Sequence, residues 1–62
     1  MTKAEATAEF YRQRDEILAL KRADVVAYFL AYFPNRETKG IRSIRLANVI
    51  ATYNVWGKEI HG

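Results

Sequence analysis

Cysteine is absent from this 62-residue chain, and histidine and proline each occur once. No disulfide framework can form, no thiolate metal site exists, and one histidine argues against zinc. No cofactor and no metal are therefore expected. The chain also lacks an apolar run of the about 20 residues that a membrane span needs. Its N-terminus shows neither a basic-then-apolar leader pattern nor a lipidation motif, so the expected compartment is cytoplasmic.

Acidic charge is scarce in the second half. Residues 1–35 hold five cations and five anions. Residues 36–62 hold five cations against Glu37 and Glu59, so the whole net charge of +3 lies there. Arg36, Lys39, Arg42 and Arg45 supply four of those five cations within ten residues.

The groups that enzymes use are missing as well. There is no thiol, and no histidine lies near a serine and a carboxylate in sequence. His61, next to the terminus, reads as a solvent-exposed histidine rather than a base or ligand. Lys39-Gly40 lacks the glycine spacing of a phosphate-binding loop. Glu9, Asp15 and Glu16 read as a solvated helix face. Catalysis is not expected, nor is a small-molecule substrate.

What the chain does have is an uncharged aromatic segment, residues 25–35, with Tyr28, Phe29, Tyr32 and Phe33. Its β-branched and aromatic content would suit a buried strand. Helix is favoured, because Ala27 and Ala31 share one side and the large residues spread over the others. Asp24 can cap its start, and Pro34 closes it. Such a helix lacks a polar face and should be surrounded. It is expected to form the centre of the core, with Ala27 and Ala31 admitting a close neighbour, and to offer a homodimer surface.

Residues 2–22 read as an amphipathic helix. Thr2 and Glu5 fit a capping box. No glycine or proline precedes Pro34, so nothing breaks the helix early. Ala6, Phe10, Ile17 and Leu20 form the apolar stripe. Glu9–Arg12 and Arg12–Glu16 stand at pairing distance on the opposite side. A bend is expected near Arg22–Asp24, the alternative being one long helix over 3–33.

Residues 34–40 form a turn or loop, and 41–55 a third helix with Thr38 or Ser43 as cap and Gly57 as stop. A strand or hairpin over residues 49–60 is the alternative. The sequence thus predicts one domain, 1–62: a compact all-α fold with helices near 3–22, 24–33 and 41–55.

Two function classes follow. In the first, helices two and three form a helix–turn–helix-like pair that docks nucleic acid. Arg45, Asn48 and Thr52 would then face bases, with Arg36, Lys39 and Arg42 on phosphates. In the second, Tyr28, Tyr32 and Trp56 form the surface of a protein–protein module, an inhibitor or adaptor. An acidic protein is the other partner that the basic stretch would suit.

Overall fold

A computed structural model describes residues 2–57. They form three helices: α1 (Lys3–Leu18), α2 (Arg22–Tyr32) and α3 (Ser43–Trp56). No strand occurs among the described residues. The expected all-α, three-helix domain is therefore present. The strand alternatives for 25–35 and for 49–57 are not. His61 and the end of the proposed hairpin, 58–60, lie outside the described residues.

The capping box starts α1 as expected. Thr2 Oγ1 accepts from the Glu5 N–H at 3.1 Å, and Glu5 Oε1 accepts from the Thr2 N–H at 3.2 Å. The other helix ends differ from expectation. The first break comes at residues 19–21 rather than at Arg22–Asp24, and Leu20, assigned to the apolar stripe, is exposed. Lys21, in extended backbone, is the cap residue of α2, and it makes no side-chain cap. Asp24 sits instead in the first turn, where a carboxylate still faces the positive end of the helix dipole. Arg42 takes the cap position of α3, where Thr38 or Ser43 was expected, again with no side-chain cap. Gly57 ends α3 as the sequence suggests: its φ is +70°, and its N–H donates to the Tyr53 carbonyl at 2.7 Å.

The centre of the fold is α3, not the aromatic α2. Leu46, Ala47, Ile50 and Ala51 of α3 are all buried, against Val25 and Phe29 of α2 and Ala6 and Ile17 of α1. α3 packs on both partners, whereas α1 and α2 touch each other far less. Two Ala-x-x-x-Ala pairs competed for the close approach. The one on α3, Ala47 and Ala51, is buried; the one on α2, Ala27 and Ala31, is exposed. Burial scales with apolar area removed from water. Turning Val25 and Phe29 inward removes more area than turning in two alanines, so α2 shows its alanines to solvent.

Cross-helix contacts fix the directions. Arg22 meets Ser43 and Tyr32 meets Asn54, so α2 and α3 pair at a nearly constant offset and run parallel. Phe10 meets Trp56 and Gln13 meets Asn54, so α1 runs antiparallel to α3. Residues 33–42 must therefore travel back along the length of α2. That is no helix–turn–helix, whose helices are joined by a turn of about three or four residues at a steep angle. Gly40, at φ +79°, helps the chain reach the start of α3.

Candidate nucleic-acid interface

A parallel α2/α3 pair brings two helix N-termini to one end of the molecule. Each contributes roughly half a positive charge from its unpaired N–H groups. The C-terminal end of α1 lies there too and offsets one of them. No side-chain cap covers either start.

Cations surround this end. Lys21 and Arg22 open α2, while Lys39, Arg42 and Arg45 lead into and begin α3, and all five are exposed. Arg22 ties the parts together: its Nη1 donates to Ser43 Oγ at 3.2 Å and its Nη2 to the Thr38 carbonyl at 3.1 Å. Glu9, Arg12, Arg14, Asp15 and Glu16 form ion pairs along α1. None involves the five cations. Two carboxylates share the neighbourhood, Asp24 and Glu37. Glu37 Oε1 is already engaged, accepting from the Lys39 N–H at 3.1 Å.

Of the six residues assigned to nucleic acid from the sequence, the structure groups Lys39, Arg42 and Arg45. Arg36 belongs elsewhere. Its guanidinium lies over the Phe33 ring, 5.3 Å from the centroid, beside the C-terminal end of α2. The returning loop carries it away from the start of α3, where the sequence reading had placed it. Asn48 and Thr52 are half-buried rather than displayed. Asn48 Oδ1 is sealed from solvent and has no hydrogen-bond partner. Reading an adenine edge takes both the oxygen and the nitrogen of an asparagine amide, so Asn48 does not present a reading group. Lys21 and Arg22 were missed, because their half of the chain is neutral in sum. Only the parallel pairing of α2 with α3 reveals them.

The aromatic candidates are also exposed. Tyr28 and Tyr32 stack, with centroids 5.5 Å apart and planes within 11°. Tyr32 meets Tyr53 edge-on at 5.8 Å, which adds a third exposed ring. Trp56 leans on Phe10 at 5.7 Å on the α1 side.

A chain of polar contacts holds this ladder. Tyr32 Oη donates to Asn54 Oδ1 at 2.6 Å, Asn54 Nδ2 to Gln13 Oε1 at 2.9 Å, and Gln13 Nε2 to Glu9 Oε1 at 3.0 Å. Arg12 grips Glu9 and reaches Glu16 at 2.7 Å. The hydrogen bonds from Arg12 and Gln13 hold the Glu9 carboxyl down at about 2. No helix among the described residues is long and apolar enough to cross a membrane. No protein-family model, curated protein or solved structure matches this chain.

Proposed function

We propose that this domain is a non-enzymatic nucleic-acid-binding protein that grips the phosphate backbone with the end where α2 and α3 begin. One observation carries the reading: the parallel helix pair collects Lys21, Arg22, Lys39, Arg42 and Arg45 at two helix starts without side-chain caps, with no carboxylate of the described residues in an ion pair with any of them. Phosphate oxygens suit such a surface. Lysine and arginine neutralise their charge, and helix N-termini offer backbone N–H donors. With the Asn48 oxygen sealed inside the fold, this surface offers cations rather than an amide, so binding is tolerant of sequence.

The test is fluorescence anisotropy of labelled DNA across a salt series. Each phosphate contact contributes about −0.9 to the slope of log affinity against log salt for duplex DNA. Five contacts give a slope of about −4 to −5. Arg42→Ala with Arg45→Ala should shallow it by about 2 and weaken every sequence alike. Absence of binding at low salt refutes the reading.

A further inference from the structure

We propose that the nucleic acid is taken as a single strand, with an unpaired base stacked on Tyr28 next to the basic end. This rests on the phosphate-binding reading and adds the class of strand.

Three features converge on Tyr28. Its ring is exposed, although the ring is large enough to be worth burying. Tyr32, one turn later, covers one of its faces. The other face turns toward the N-terminal end of α2, where Lys21 and Arg22 lie. The spacing fits as well. Lys21 lies seven residues before Tyr28, two turns back on the same face of α2 and about 10.5 Å along it. At the ~3.4 Å spacing of stacked nucleotides, that is about three nucleotides from a phosphate on Lys21 to a base on Tyr28.

Charge sorts the two ends of this path. The cations at the helix starts draw phosphates. Asp24, one turn before Tyr28, disfavours a phosphate there and leaves that step to an uncharged base. Around the ring itself, Ala27 and Ala31 offer no bulk to block an incoming base.

The ladder is also held before any ligand arrives. Tyr32 is fixed through Asn54 and Gln13 to the Glu9–Arg12–Glu16 group, so three helices contribute to the position of one exposed ring. A fixed aromatic platform beside a positive surface is how sequence-tolerant single-strand binders work. A duplex keeps its bases paired and stacked, so it can use the cations but not the tyrosine.

The experiment compares a short oligothymidylate, an oligouridylate and a duplex of matched length by anisotropy at low salt. The proteins are the unmodified chain, Tyr28→Ala, Tyr28→Phe and Tyr28→Leu. Leu keeps apolar bulk without a π-face, and so serves if the alanine variant loses helix by circular dichroism. Single strands should bind more tightly than the duplex. Losing one base–aromatic stack should weaken single-strand binding by about 5- to 150-fold, leave duplex binding unchanged, and be avoided in Tyr28→Phe. A loss on both oligomers supports the proposal for either sugar. A loss on one assigns DNA or RNA.

Equal single-strand binding by all variants overturns the proposal and leaves the phosphate-binding reading standing. Failure of every strand to bind overturns the phosphate-binding reading, and this one with it. A dimer seen by sedimentation and broken by Tyr28→Ala, with oligonucleotide binding intact, overturns it in favour of a second copy of this chain on α2.

Discussion

Asn48 is where the sequence and the structure disagree most sharply, and a single substitution separates them. Its Oδ1 is sealed in the fold without a donor. Leaving a buried acceptor unpaired costs about 1–3 kcal/mol, while removing the polar group altogether can be neutral or stabilising. Asn48→Leu takes away that oxygen and replaces asparagine by a better helix former, worth a few tenths of a kcal/mol more. The added carbons work against this to a limited degree, because the residue is only half-buried. The expected result is a gain of about 1–2 kcal/mol. For a domain of this size that raises Tm by about 4–8 °C per kcal/mol.

Thermal denaturation followed by circular dichroism reads the first outcome. Anisotropy with the same DNA reads a second: affinity should be unchanged, because no sealed oxygen can receive a base. If Asn48→Leu folds stably and loses binding, Asn48 reads nucleic acid and the assignment to the helix starts is wrong. If it lowers stability by more than about 1 kcal/mol, Oδ1 has a partner such as an ordered water, and the unpaired-acceptor reasoning fails.

Two further outcomes bear on the architecture. Ala27→Lys should change stability by no more than about 0.5 kcal/mol, as exposed surface substitutions usually do, whereas Ala51→Leu should cost about 1–3 kcal/mol by overpacking; urea unfolding of the two variants, with the order reversed, would return α2 to the centre. The Glu9 carboxyl is held from its ordinary value near 4.5 down to about 2. A depressed carboxyl contributes stability above its unfolded value that is lost as pH falls through the folded one. The chain should therefore lose stability between pH 4.5 and about 2, and Glu9→Gln should flatten that loss in an acid titration; an unchanged slope would mean that the Arg12 contact is not held in solution.

The parts of the fold that depend on neighbours in sequence were legible. The Thr2–Glu5 capping box, the Gly57 stop and the charged outer face of α1 each involve residues one helical turn apart, and all three appear. Helix ends were read less well, because nothing local breaks the chain at residues 19–21. Leu20 would extend the apolar stripe of α1, yet the turn there lets Val25 and Phe29 reach α3, and that burial outweighs one leucine. The centre of the core was misplaced for a related reason. Aromatic mass marked α2, but a central helix needs small residues on the side its neighbours approach and apolar residues on the rest. α3 has both, with Ala47 and Ala51 beside Leu46 and Ile50.

The candidate site shows why summing charge along the chain is a weak guide to a surface. The neutral sum of residues 1–35 hid Lys21 and Arg22, because their balancing carboxylates sit mainly on α1, where Glu9 and Glu16 are taken up by Arg12 and Asp15 by Arg14. The basic sum of residues 36–45 overstated Arg36, which the returning loop leaves beside Phe33. Direction decides both. Had the connection after Tyr32 been a tight turn, α2 and α3 would run antiparallel, Arg22 would lie far from Ser43, and the two helix N-termini would point apart with their positive ends separated. The long loop reverses this: it spends ten residues carrying the chain back so that α3 starts where α2 starts. A parallel pair concentrates positive potential at one end, and the same register leaves Tyr28 between that end and the fixed Tyr32. The chain's modest net charge thus becomes a local one, with an aromatic step placed two turns beyond it.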